Sequence, residues 1–254
     1  MDYFKIERLS FSETIRQAFK LYADNFTFLF FVSLIGSTPF ILIPELADFN
    51  PMVETQASFG SVILRIFIIF ILNSMTLAIM TDHIAQRYMN RNRTHDEYAF
   101  HILALLGSIL GLSIVVGVLV SFGFLMFILP GIYFALTLSL SNISLVIERY
   151  NIMDCMRRSM FLTYGRKLEI TGYMLVVIII TLGAIILSNT LLYLTGPLNF
   201  SSGVKMLFLF LVQVLISPIN ATIFFQVYLN IRIDKEQFTL DKWKNQTFGT
   251  NTSE

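Results

Sequence analysis

From Ile102 to Ile147 the chain runs for 46 residues without one charged side chain. A helix crosses about 30 Å of hydrocarbon with about 20 residues, so this run is long enough for two crossings. Pro130-Gly131 divides it. A Pro-Gly pair supplies a turn and stops a helix, which predicts a tight hairpin with spans at 103–129 and 132–147. Four further apolar runs predict spans at 25–44, 59–81, 170–194 and 206–231, the last two separated by a loop around Gly196-Pro197. Backbone groups in hydrocarbon must find partners within their own segment, which leaves helices or closed barrels. Continuous runs of this length do not suit the roughly ten-residue alternating strands of a barrel. The expected fold class is therefore all-α integral membrane, with six transmembrane helices in one membrane domain over 1–233. A polar tail, 234–254, reads as disordered or lightly structured.

Charge placement gives the orientation. Only 14% of residues are charged and the net charge is +1, so nothing global points to nucleic acid or an acidic substrate. Lys and Arg accumulate on the cytoplasmic side of spans. The N-terminal segment holds Lys5, Arg8, Arg16 and Lys20, and the second loop holds Arg87, Arg91 and Arg93. The fourth loop holds Arg149, Arg157, Arg158, Arg166 and Lys167, and the tail holds Arg232, Lys235, Lys242 and Lys244. With six spans all of these fall on one side, and only Arg65 and Lys205 do not. Both termini are expected in the cytoplasm. The first 25 residues lack the uninterrupted apolar core of a signal peptide. The single Cys155 excludes an internal disulfide and a Cys-rich metal site.

Each odd-numbered span is preceded by a short amphipathic segment. The first begins at Ser10 with Glu13 three residues on, a capping-box spacing, and places Phe11, Ile15, Ala18, Phe19 and Tyr22 at helical intervals. The second begins at Thr94 with Glu97 in the same relation. The third begins near Asn151, and Met153 to Ser159 can be laid over Ser12 to Ala18. Three units are expected, each an interfacial amphipathic helix followed by a two-span hairpin. The alternative is that these segments merely extend the spans. Interfacial helices of this kind set basic residues against anionic lipid. On this reading Arg157, Arg158, Met156, Met160, Arg16 and Lys20 are the candidate lipid or partner contacts.

Few polar residues lie at membrane depth. Arg65 is within about 9 Å of helix rise from the outer end of span two, so its guanidinium is expected to snorkel to the surface. Asn73, Asn142, Asn189, Gln213, Asn220 and Gln226 are placed for hydrogen bonds between helices, and Ser139 and Ser141 for packing. Glu148 closes span four as its one intramembrane acid. Paired intramembrane carboxylates, which a proton-coupled pump would need, do not occur. His83, His95 and His101 match no metal-ligand spacing and read as surface residues. Phosphate loops, nucleophile elbows and zinc-binding helices are lacking, so neither catalysis nor a cofactor is expected.

The best-marked stretch is Leu129-Pro130-Gly131-Ile132-Tyr133, then Ser144 to Glu148, then Met156-Arg157-Arg158-Ser159-Met160-Phe161-Leu162-Thr163. It resembles the YciC-type inner-membrane proteins of Gram-negative bacteria and the related membrane domain fused to some bacterial glycerophosphodiester phosphodiesterases. The similarity covers nearly the whole chain in length and span order, and about 35 residues in motif. It implies a bacterial inner-membrane location and carries over no catalytic residue. The fused hydrolase is a separate barrel, for which the 23 residues after Ile231 leave no room.

Three functions compete. The leading one is a non-enzymatic protein that organises or binds lipid, or a membrane partner protein, through its interfacial helices. The second is a transporter or permease subunit for a lipidic or small amphiphilic solute, whose broken helices would have to lie at Pro39 or Pro218. The third is an accessory subunit of a phosphodiester-processing enzyme. A closed, packed core would remove the second reading, and an internal groove would favour it.

Overall fold

A computed structural model describes residues 8–38, 59–88, 95–194 and 202–237. Over these it is wholly helical: α1 (Phe11–Asp24), α2 (Phe26–Ser37), α3 (Phe59–Tyr88), α4 (His95–Met126), α5 (Ile128–Leu138), α6 (Ser141–Glu148), α7 (Ile152–Thr163), α8 (Lys167–Leu194) and α9 (Ser202–Glu236). Five stretches are long and apolar enough to cross a membrane, and α1 with α2 makes a sixth if the 83° bend between them is allowed. The chain is an all-α membrane protein. The end of span one with Pro39, the cap residue Thr94, the Gly196-Pro197 loop and the tail beyond Gln237 lie outside the described residues.

α1 begins where the capping box places it. The Ser10 N–H donates to the Glu13 carboxylate at 3.1 Å, and the Ser10 hydroxyl donates to the same oxygen at 2.7 Å. Those contacts hold the Glu13 carboxyl below the usual carboxylate range. Asn25 ends the helix by donating from its side chain to the Leu21 carbonyl, and the chain turns sharply into α2. The inward face of α1 does not meet lipid, as an interfacial helix would. Thr14, Ala18 and Leu21 are buried, and α1 packs on α9. Asn230 of α9 grips both backbone groups of Leu9, at 2.8 and 3.1 Å, and Phe11 stacks on Tyr173.

The second amphipathic segment is not a separate helix. From His95 to Met126, α4 is continuous for 32 residues, so here the segment extends its span. Only α1 and α7 stand apart from the spans that follow them, and the expected three units reduce to two. Helix boundaries also move outward. α3 continues past residue 81 to Tyr88 and takes Asp82, Gln86 and Tyr88 into the interior. His83, read as a surface residue, stacks on Phe28 with ring centroids 3.6 Å apart.

Pro130-Gly131 is not the turn between spans three and four. The extended residue is Phe127 (φ −163°, ψ 155°), and both Pro130 and Gly131 lie inside α5. Proline in the first turn of a helix gives up an N–H that would have had no partner there, so the same dipeptide that can stop a helix here helps to start one. Gly131 serves contact between helices. A Cβ on it would come within 2.4 Å of the Phe124 ring, and one on Gly123 within 2.9 Å of the Gly131 Cα. Two glycines thus let α4 and α5 touch backbone to backbone.

α9 is the hub, touching α1, α2, α3, α7 and α8. From Ala221 to Arg232 nearly every side chain is buried, the polar Thr222, Gln226, Asn230 and Arg232 included. It continues as one helix through Pro218. It also extends beyond the expected end of the membrane domain at 233, so Asp234 and Glu236 belong to its last turn and not to a loose tail. By contrast α8 is apolar and mostly open, with Leu175, Ile178, Ile179, Leu182 and Ile186 exposed. An apolar patch of that extent is stable only in lipid or under a partner.

Candidate functional site: a broken helix beside a polar cavity

The second half of the hairpin is two helices, α5 and α6, with Ser139 and Leu140 between them. The local sequence, Thr137-Leu138-Ser139-Leu140-Ser141-Asn142, explains the break. Short hydroxyl side chains compete with the helix for its own carbonyls. Ser139 Oγ donates to the Leu136 carbonyl at 2.8 Å, and Ser141 Oγ donates to the Leu138 carbonyl at 2.6 Å. The groups freed on the other side are met by α7. Ser159 Oγ donates to the Thr137 carbonyl at 2.7 Å and accepts the Leu140 N–H at 3.3 Å. Thr163 Oγ1 adds a longer contact to the same carbonyl at 3.4 Å. One buried hydroxyl therefore splints both ends of the interruption.

The opposite side of the break opens on a cavity of about 370 Å³, lined from α3, α4, α5, α6, α8 and α9. Its polar lining is Asn73, Ser74, Ser139, Ser141, Asn142, Ser217 and Asn220, and no charged residue contributes. Phe70, Leu77, Val116, Val120 and Phe224 supply apolar walls. The Oδ1 atoms of Asn142 and Asn220 are buried with no hydrogen-bond partner in the protein. Asn73, read as a bridge between helices, instead donates to the Ile69 carbonyl of its own helix at 2.9 Å. Irregular backbone at membrane depth is tolerated where it is buried in protein or lines such a cavity, and here it does both.

A second constellation closes the end of the bundle where α6, α7 and α9 meet. Glu148, the last residue of α6, has a side chain only 4% exposed. A carboxylate at a helix C-terminus lies at the negative end of the macrodipole, so it needs cations. Arg158 Nε lies 2.9 Å from one of its oxygens and 2.7 Å from the other. Arg232, 2% exposed, approaches to 3.6 Å. The Tyr228 hydroxyl also donates to Glu148. Glu236 completes the group, accepting from Arg158 at 2.7 Å and from Arg232 at 3.0 Å. Burial opposes the charge on Arg158, but Glu236 and Glu148 outweigh it and hold the guanidinium well above its usual pKa. Two acids and two bases balance in a partly desolvated cluster.

These contacts correct the expected surface of α7. Arg158 is mostly buried and braces the fold through Glu148 and Glu236. Met156 is buried beside Cys155, whose thiol burial and the nearby Glu148 push up to about 12. Met160 is exposed, and Arg157 is 78% exposed with Asp154 3.8 Å away. Arg16 and Lys20 are exposed on α1. The open face of α7 carries Met153, Arg157, Met160 and Tyr164 at helical spacing. α7 is also held from α9 by Lys235, which donates to the carbonyls of Phe161 and Tyr164, and by Arg166 paired with Asp234. Gly165 in the left-handed region (φ 73°) turns the chain into α8. Arg65 lies within α3, and its side chain lies outside the described part. Among the described residues, no group of three or more His, Cys, Asp or Glu side chains could hold a metal ion. No protein-family model, curated protein or solved structure matches the chain.

Proposed function

We propose that this chain is a non-enzymatic, multi-pass membrane protein that binds a small amphiphilic solute inside its helix bundle, in the manner of a permease subunit. The observation that carries the reading is the break between α5 and α6 against a cavity lined by serines and asparagines as well as apolar side chains. Discontinuous helices recur at the solute sites of transporters because freed backbone and short polar side chains gather there. A serine splint behind the break keeps that irregular backbone in place, which a purely structural hairpin would not need. The cavity volume falls at the lower end of the range of small-molecule sites, roughly 300–1,000 Å³. The wider setting of the proposal is a bacterial inner membrane with both termini cytoplasmic. The one-sided distribution of Lys and Arg and the YciC-type motif stretch support that setting.

Cysteine scanning in a Cys155→Ser background tests the reading. Ser139→Cys, Asn142→Cys and Asn220→Cys should react with a small neutral methanethiosulfonate in membranes. Leu140→Cys and Ile143→Cys, fully buried away from the cavity, should not. Equal inertness at all five positions would remove a solute site.

A second reading, lipid contact through the interfacial helices, keeps one specific support. The exposed face of α7 joins Arg157 to Met153, Met160 and Tyr164, an arrangement suited to a headgroup boundary. The contact set differs from the expected one, with Met153 in place of Met156 and Arg157 alone in place of the arginine pair. Comparing α7 hydrogen exchange in neutral and anionic nanodiscs tests it. Identical protection would leave α7 a purely internal brace.

A further inference from the structure

We infer that the cavity is built for an uncharged headgroup that donates hydrogen bonds, such as the hydroxyls of a monoacylglycerol, and that it rejects phosphate-bearing and acceptor-only amphiphiles. The inference rests on the solute-binding reading above and adds the chemical class of the ligand.

The lining supplies the argument. An ionised phosphate would find no Lys or Arg there, and a cation would find no Asp or Glu. The charges of the buried Glu148 group are engaged among themselves: Arg158 and Arg232 are shared between Glu148 and Glu236. A charge brought from water into the uncharged cavity would lose its hydration without compensation. The ligand head is therefore neutral. Its polarity is set by the two atoms left unpaired. Asn142 Oδ1 and Asn220 Oδ1 are both acceptors, so what completes them must carry O–H or N–H groups. An ester, ether or ketone head has no hydrogen to give and would leave both asparagine oxygens unpaired. A buried polar group left unmade is costly, and that cost is what would separate a diol from its methyl ester counterpart. The hydroxyls of Ser74 and Ser217 can donate to the lone pairs of a ligand hydroxyl, whereas those of Ser139 and Ser141 already donate to carbonyls and can only accept. Phe70, Val116, Val120 and Phe224 then receive the first carbons of a chain. At about 370 Å³ the cavity holds a head and a short length of chain, so the rest of the ligand would lie among the helices or in lipid.

The test uses the full chain in phosphatidylcholine nanodiscs and three photoreactive probes sharing one oleoyl chain. The first carries glycerol, the second a methyl ester and the third glycerol 3-phosphate. The glycerol probe should cross-link to the lining segments of α3, α6 and α9 at least ten-fold more than either other probe, and unlabelled monooleoylglycerol should compete. Asn142→Leu and Asn220→Leu should each reduce that cross-linking about ten-fold. The comparison of probes on the wild-type chain stands whether or not either variant folds. If the phosphate or methyl ester probe labels the lining as well as the glycerol probe does, the headgroup class is wrong and the solute site survives. If all three label only outward residues of α8 such as Ile179 and Ile186, both the class and the solute site are overturned.

Discussion

Replacing Arg158 with Leu should be among the most damaging single changes in the chain. It removes the closest cation from Glu148, whose side chain is 4% exposed and cannot turn to water. Breaking a buried pair by deleting one partner costs about 3–5 kcal/mol. The lower end applies here, because Arg232 remains 3.6 Å away, Tyr228 still donates, and Arg158 itself is 17% exposed. About 3 kcal/mol corresponds to a fall of roughly 6–12 °C in melting temperature for a chain of this size. The double variant Arg158→Leu/Glu148→Leu tells more. It leaves Arg232 and Glu236 as a matched pair at 3.0 Å, and exchanging a whole buried pair for apolar side chains is often close to neutral. The double variant should therefore lose no more than about 1.5 kcal/mol, less than Arg158→Leu alone. Thermal unfolding of the four proteins in one detergent, completed as a double-mutant cycle, measures the coupling. A loss below about 1 kcal/mol for Arg158→Leu, or a double variant that loses the sum of the two singles, would refute the argument that the charges balance as a unit.

Three other outcomes are expected. Ser159→Ala removes the hydroxyl that serves both Thr137 and Leu140 and should cost about 2 kcal/mol, read as a lower melting temperature with hydrogen exchange rising first at Leu140. Pro130→Ala should change stability little, because the residue occupies the first turn of α5, whereas Gly131→Ala must displace the Phe124 ring and should cost about 1–3 kcal/mol; equal effects would return the pair to the role of a turn. Cys155, with its thiol pushed up to about 12, should resist maleimide at pH 8, where roughly one part in ten thousand is thiolate, and should react promptly after unfolding in dodecyl sulfate.

The apolar runs made the spans legible, because twenty residues without charge leave a chain few choices. Boundaries were less legible. Asp82 and Gln86 lower the hydropathy of α3's last turns, yet they are buried, because neighbouring helices and not hydropathy decide where an enclosed helix ends. Pro130-Gly131 misled for a related reason: the dipeptide can end a helix or begin one, and only the packing of Gly131 on Gly123 and Phe124 distinguishes the two. The break at Ser139 left almost no trace, since two serines in an apolar window barely change its mean. The sign that could have found it is the density of hydroxyl and amide residues from Thr137 to Asn142. Glu236, a partner of Arg158, is out of reach of sequence reading because it stands 78 residues away in what reads as a polar tail. Cavity residues from six helices share no pattern in the sequence. In the sequence Asn142 and Asn220 read only as bridges between helices, and what makes them acceptors in waiting is the absence of a neighbour.

α7 contributes no residue to the cavity, yet two consecutive side chains connect it to both centres. Arg158 is fastened to the last turn of α9, and Ser159 is fastened to the backbone on either side of the break. A force applied at the end of α9 thus has a rigid route, one residue long, to the interrupted backbone that lines the cavity. If α9 tilts, α7 cannot follow without pulling on Thr137 and Leu140, so displacement at the charged end is converted into a change of shape beside Asn142. The short amphipathic helix thus ties the charged end of the bundle to the interrupted backbone through two adjacent residues.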